Sequence, residues 1–184
     1  PYGGGRGAVM TADPLYRCWE AVCDMAGGPV HTIYLSPCGK TFRQEDAIRL
    51  SKMENIIIVC GHYEGIDERI IEEIADMEIS IGDFVLTGGE LPALVITDAV
   101  CRMLPGVLKS EEGFTEESHY NGLLEHAQYT RPYEWHGRKV PDVLLSGHEK
   151  NIKEYRKQDS INRTKAKRPD LYAKLFNNDK NVEK

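Results

Sequence analysis

At 184 residues the chain has room for one domain and a small appendage, and 41% hydrophobic content is enough for a buried core. A mean hydropathy of -0.45, with no apolar run approaching about 18 residues, excludes a membrane-spanning helix. The net charge of -6 hides an asymmetry: residues 117–184 carry 14 Lys and Arg against 10 Asp and Glu, whereas residues 1–116 carry 9 against 19. Within the basic part, residues 148–174 have nine basic against four acidic side chains, a composition suited either to polyanion contact through phosphate neutralisation or to a solvated helical face. The five cysteines form no C-x-x-C pair, which favours free thiols in a reducing compartment over zinc. The opening "PYGGGRG" has neither an initiator Met nor an apolar leader, and reads as the start of a processed or truncated chain.

Strand-like and helix-like patterns alternate along the first two-thirds. Residues 30–36, "VHTIYLS", are apolar and β-branched and read as a strand ending at Pro37, followed by a helix over 44–53. "NIIIVC", 55–60, is a continuous β-branched run of the kind buried on both faces of a parallel sheet. A helix over 67–77 follows, then a strand over 78–86 interrupted by Gly82, then a helix over 91–104 with Pro92 in its first turn and Pro105 as its stop. This order predicts an α/β domain built on a mostly parallel sheet. Residues 106–117 lack periodicity and read as a linker. Beyond them come the loop-rich 126–151, a basic helical stretch over 152–176, and a polar tail from Asn177 expected to fray.

Three turns stand at the C-terminal ends of the expected strands, the edge at which open parallel sheets bind ligands: "YLSPCGK", "CGHYEGIDE" and "IGDFVLTGGE". Each has Gly or Pro where the backbone must turn tightly or approach a ligand. No nucleotide motif explains them. "GKT" at 39–41 lacks the first glycine of a P-loop, Tyr34 standing in its place, and no G-x-G-x-x-G follows a strand. The six histidines show no metal-ligand spacing, and no nucleophile elbow occurs. In the helix over 91–104, Asp98 and Arg102 lie four apart among apolar residues, as a structural ion pair or as a guanidinium aimed at substrate. In "FTEESHYNG", 114–122, two adjacent glutamates are either solvated surface or a site for a base.

Read in order, "PYGGG", "YLSPCGK", "CGHYEGIDER", "SIGDFVLTGGELPA", "GLLEHAQYTRP" and "VPDVLLSGHEKNIKEYR" closely resemble the bacterial tRNA (guanine-N1)-methyltransferases of the TrmD family, in register across nearly the whole chain. Members of that family begin earlier, with a strand and helix that this sequence lacks. The resemblance implies a SPOUT-type α/β fold whose parallel sheet carries a deep trefoil knot, followed by a small helical C-terminal domain. The corresponding boundaries are 1–108 for the knotted domain without its start, 109–116 for a flexible linker, and 117–184 for the tRNA-binding domain. It further implies a cytoplasmic homodimer with active sites between subunits, S-adenosylmethionine as methyl donor, and a requirement for Mg2+ at a site no carboxylate cluster identifies.

By position, the resemblance assigns the cofactor to Tyr34, Leu35, Ser36 and Pro37; to Gly61 and Tyr63; to Ile81, Gly82, Asp83, Phe84, Val85 and Leu86; and to Gly88, Gly89 and Pro92. Phe84 stands where many members have Tyr. The implied reaction methylates N1 of guanine 37, next to the tRNA anticodon, with Arg102 stabilising charge at O6 and a carboxylate removing the N1 proton. The family's base is usually Asp, fifteen residues after the arginine and five before the "GLL" glycine. Both counts land on Glu117, which places the carboxylate about 1 Å further out. Glu116 and then His119 are the alternatives, and Ser118 is the neighbour expected to hydrogen-bond near the base. Glu64 matches a residue that reads the adjacent guanine, Gly7 a stretch near the anticodon loop, and Lys150, Arg156, Arg163 and Arg168 the phosphate contacts. The residues alone also allow a non-catalytic RNA-binding fragment or a small-molecule α/β transferase.

Overall fold

The computed structural model describes residues 2–109 and 112–176. The chain falls into two compact units, Pro1–Lys109 and Ser110–Lys184.

The first unit is built on a three-stranded parallel sheet. Its central strand β1 (Val30–Thr41) pairs with β2 (Asn55–Cys60) on one edge and β3 (Met77–Ser80) on the other. Because side chains alternate across a strand, β1 feeds two cores. Ile33 and Leu35 join Ile79 and the helices α2 (Gln44–Leu50) and α4 (Glu90–Cys101) on one face, with Ala47, Leu50, Ile96 and Val100 buried there. Tyr34 and Val59 face the other way, against α3 (Glu68–Ile74) and α1 (Ala12–Ala26). Helices thus cover both faces, as a parallel sheet requires. Trp19 of α1 clamps the second face by donating its indole N–H to Thr32 Oγ1 at 2.9 Å.

Several elements differ from the sequence expectation, each for an identifiable reason. No helix was expected over 12–26, although Leu15, Tyr16, Trp19, Val22 and Cys23 form an i, i+3, i+4 stripe and Gly27 closes it in the left-handed conformation (φ 66). β1 does not end at Pro37. Its ladder to β3 breaks after Leu35 and resumes at Lys40, both residues pairing with Ile79, so that 36–39 loop out of the sheet. α2 stops at Leu50, earlier than expected. The helix expected over 67–77 ends at Ile74 because Asp76 turns back to the sheet: its N–H donates to Thr32 O, and its carboxylate accepts the Thr32 N–H at 2.8 Å. β3 covers only Met77–Ser80. The Ser80 hydroxyl bonds both the N–H and the carbonyl of Gly82, which curls 81–86 away from the ladder.

In the second unit, α6 (Glu149–Lys167) and α7 (Pro169–Phe176) pack together, and a small antiparallel hairpin, β4 (Glu134–Trp135) and β5 (Arg138–Lys139), precedes a 3-10 turn at Asp142–Leu145. Polar groups on α6 anchor the segment 124–127: Thr164 Oγ1 accepts the Leu124 N–H at 2.8 Å, and Asp159 accepts the Ala127 N–H at 2.7 Å. Part of the expected linker is ordered as a short helix, α5 (Glu112–Thr115). Residues 110 and 111 and the tail from 177 lie outside the described residues.

Two substitutions test these supports. Leu50→Ala, in a fully buried position, is expected to lower unfolding free energy by about 2–5 kcal/mol in urea titration. Thr164→Val leaves the Leu124 N–H without its acceptor and is expected to cost about 1–3 kcal/mol, read in the same way.

Candidate functional site

The parallel register aligns the strand ends, Leu35 opposite Cys60 on one side and Ile79 on the other. The three turns that follow therefore emerge at one edge, and they enclose a cavity of about 540 Å³. Fourteen of the fifteen positions assigned to the cofactor line it: Tyr34 to Pro37, Gly61, Tyr63, Ile81, Gly82, Phe84, Val85, Leu86, Gly88, Gly89 and Pro92. Asp83 is exposed and is not part of the lining. Glu64 lines the same cavity.

Backbone geometry shapes this space. The looped-out 36–39 segment is braced by Ser36, whose hydroxyl accepts the Cys38 N–H at 3.0 Å. The 61–63 and 87–90 turns are stitched together by the Gly89 N–H donating to Gly61 O at 3.1 Å and by a bridge between His62 and Gly88. A contact of His62 Nε2 with Glu90 Oε1 at 2.8 Å adds to them. Gly89 must be glycine: a Cβ there would stand 2.7 Å from Cys60 Cα, and main chain cannot yield as a side chain can. Tyr63 holds φ 59, a left-handed conformation unusual for a non-glycine residue, which marks a loop constrained by its surroundings. The N-terminal segment docks on this loop, the Glu64 N–H donating to Ala8 O and the Met10 N–H to Gly65 O. Gly7 (φ 83) lies against Glu64, whose side-chain atoms leave no room for a Cβ.

The charge of the lining is one-sided. Glu64, Glu68 and Glu78 face the cavity, and among the described residues no Lys or Arg does. Burial, reinforced by the Glu78 carboxylate, pushes the Tyr34 phenol above its ordinary value, so it stays a neutral donor. Burial and then Glu90 likewise raise the Cys60 thiol. Sequence reasoning missed His62, Glu68 and Glu78. The two glutamates carry no motif, and only the register of β3 and the start of α3 brings them to this edge. Among the described residues no three His, Cys, Asp or Glu side chains gather as a metal site.

The other assigned residues lie as follows. Arg102 caps α4, its N–H bonded to Asp98 O, and is half-buried. Asp98 is exposed, so the charge at this position is not buried among the apolar residues of α4. In the second unit Glu117 and Ser118 are half-buried while Glu116 is exposed, and Ser118 Oγ accepts the Glu125 N–H at 2.9 Å. Lys150 and Arg156 project from the exposed face of α6. Arg163 instead donates from Nε to Glu125 O at 3.1 Å, and Arg168 forks onto Asp170, with Nε–Oδ1 at 2.8 Å. The Arg168 guanidinium holds the Asp170 carboxyl down at about 2.

An α/β layer with glycine turns closing over the C-terminal edge of a parallel sheet is the arrangement by which open α/β sheets hold small ligands. The comparisons narrow this class. The family model described as tRNA (Guanine-1)-methyltransferase TrmD matches residues 1–174, and the chain belongs to that family. It is 58% identical over 177 residues to the tRNA (guanine-N(1)-)-methyltransferase of Ruminiclostridium cellulolyticum, covering 96% of this chain and 76% of that protein. The enzymes of the same name from Clostridium perfringens and Alkaliphilus metalliredigens are each 54% identical, over 95% of this chain and 73% and 72% of their own lengths.

Gly89→Ala is expected to destabilise the first unit by about 1–3 kcal/mol, because the added methyl displaces the Cys60 main chain. The thermal unfolding midpoint checks this; Gly89 is right-handed (φ -81), so the loss reads the clash with Cys60 and not backbone strain, whereas Gly65→Ala, where a Cβ meets nothing but φ is 123, reads strain without a clash.

Proposed function

We propose that the chain transfers a methyl group from S-adenosylmethionine to N1 of the guanine at position 37 of tRNA. One observation carries the reading: in a member of this family, the cavity at the sheet edge is lined by glycine turns, apolar side chains and three carboxylates, with no Lys or Arg among the described residues. A phosphate-bearing cofactor would meet only like charge there. A nucleoside that carries a sulfonium cation and no phosphate suits the same walls. The residues to hold it are the fifteen assigned above, with Asp83 at the rim. Its sulfonium supplies an electrophilic methyl group when bound.

The chain's own residues supply the rest. Guanine N1 carries a proton and is a poor nucleophile until that proton leaves. Glu117 removes it, and its half-burial, set against exposed Glu116, favours it as the base. Ser118 orders the turn beside it through Glu125. Arg102 stabilises the charge that spreads to O6 as N1 loses its proton. Glu64 reads the neighbouring guanine, and Gly7, packed on Glu64, leaves room for the anticodon loop. Lys150 and Arg156 meet phosphates from the exposed face of α6. Arg163 and Arg168, whose Nε–H groups are already engaged, have only their remaining donors to offer. A requirement for Mg2+ and a cytoplasmic setting complete the reading; no helix among the described residues is long and apolar enough to cross a membrane.

The proposed architecture is a knotted domain over 1–108, a linker over 109–116 and a tRNA-binding domain over 117–184, assembled as a homodimer. Support for the dimer comes from α4. Its inner side is buried, yet Leu91, Leu94 and Val95 on the outer side are 61%, 66% and 52% exposed. A helix apolar on both sides is one that is covered on both sides.

Single-turnover methyl transfer to a tRNA transcript with G37, against an A37 control, tests the reading. Glu117→Gln is expected to slow transfer about 100-fold or more, and Glu116→Gln to leave it within about threefold of the unaltered chain. Unimpaired transfer by Glu117→Gln removes Glu117 as the base. Calorimetric titration with S-adenosylmethionine separates the alternatives: tRNA binding without cofactor binding indicates a non-catalytic RNA module, and cofactor binding without salt-sensitive tRNA binding a small-molecule transferase.

A further inference from the structure

In the second unit, residues 128–139 are exposed throughout. They include Tyr129, Tyr133 and Trp135 together with Arg131, Arg138 and Lys139, against one acidic residue, Glu134, and contain no Leu, Ile, Val or Met. The hairpin of β4 and β5 organises them. His136 and Gly137 form its two-residue turn with φ of 48 and 75, the left-handed pair whose twist matches a tight hairpin. Trp135 pairs with Arg138, and Glu134 with Lys139. Paired residues share a face, as do residues two apart, so Tyr133, Trp135 and Arg138 stand on one face and Glu134 and Lys139 on the other.

The two faces differ in what they leave open. On the second face Lys139 Nζ lies 3.8 Å from Glu134, which offsets the one acidic residue of the segment. The first face is held rigid: the Val140 N–H donates to Tyr133 O at 3.0 Å, and the Tyr133 hydroxyl donates to Asp142 at 3.0 Å. Trp135 is 61% exposed, its ring edge-on to His136 at 4.3 Å. An indole and a guanidinium on paired residues of a hairpin, with half-buried Val140 the one aliphatic residue next to them in the ladder, offer a flat π surface and a cation. That chemistry selects a base with its phosphate over an apolar protein surface.

We propose that this hairpin is a separate RNA contact of the chain, in which Trp135 stacks on an unpaired base of the tRNA and Arg138 and Arg131 take adjoining phosphates. The inference rests on the tRNA reading of the preceding section and adds a contact that fixes the substrate's position.

The test uses the full chain and fluorescently labelled, unmodified tRNA, with affinity read by anisotropy. Trp135→Leu is expected to weaken binding roughly tenfold, and Trp135→Phe, which keeps a π face, to stay within about threefold. Arg138→Gln is expected to weaken binding and to reduce the slope of log affinity against log salt by about one. In methyl transfer, Trp135→Leu should raise KM for tRNA with kcat unchanged. Unaltered tRNA affinity in Trp135→Leu overturns the proposal and turns the hairpin over to a protein partner. Equal weakening by Leu and Phe also overturns it, because stacking is then not the interaction. The two readings fail separately. If the unaltered chain transfers no methyl group while its tRNA affinity depends on Trp135, the activity falls and the hairpin contact stands. If transfer proceeds and Trp135→Leu keeps the original KM, the reverse holds.

Discussion

The pairing of β1 with a parallel neighbour on each edge is the constraint from which the cavity follows. Parallel strands need crossovers, and each crossover here is a helix laid on one face or the other, so the strands all point their C-terminal ends the same way. With Leu35 level with both Cys60 and Ile79, the three turns have no choice but to leave the sheet together. Once they do, their backbones approach one another closely enough that Gly89 has no space for a side chain against Cys60. The site is thus a product of main-chain register first and of side chains second. That suits a ligand recognised largely by backbone groups.

Charge then divides the labour within the chain. The first unit keeps cations out of its cavity and lines it with Glu64, Glu68 and Glu78, while the second unit carries most of the basic surface on α6 and around the hairpin. Not every arginine of the basic segment belongs to that surface. Arg163 spends a donor on Glu125, and Arg168 is forked onto Asp170, so the net charge of the segment overstates what is presented outward.

Much of this was legible in the residues, and the exceptions have physical causes. The run Ile56–Ile57–Ile58–Val59 announces a strand because successive β-branched residues suit an extended chain, and β2 is where it was expected, although at the edge of the sheet only Val59 is buried and the other three are half-buried. The turns were legible from their glycines and prolines, and they line one cavity. For α1 the signals are present in the residues, an apolar stripe closed by Gly27, but no helix was expected there. β3 was drawn too long because Phe84, Val85 and Leu86 look like strand. They are in fact exposed apolar residues of a loop, Val85 at 80%, and apolar residues held in the open break the pattern a sequence reader relies on. Glu68 and Glu78 could not be picked out at all, since lone glutamates next to strand and helix ends look like any solvated surface until the register is known.

The excursion of residues 36–39 has a wider meaning for how such a site can vary. Since Leu35 and Lys40 both meet Ile79, the ladder closes over the excursion as if it were absent. Adding or removing a residue between them shifts no strand by a step and turns no core side chain outward. Only Gly39, pressed against the main chain at Glu78 and Ile79, is tied to the sheet itself. The wall formed by Ser36, Pro37 and Cys38 is therefore set by the excursion itself and not by the register of the sheet beneath it.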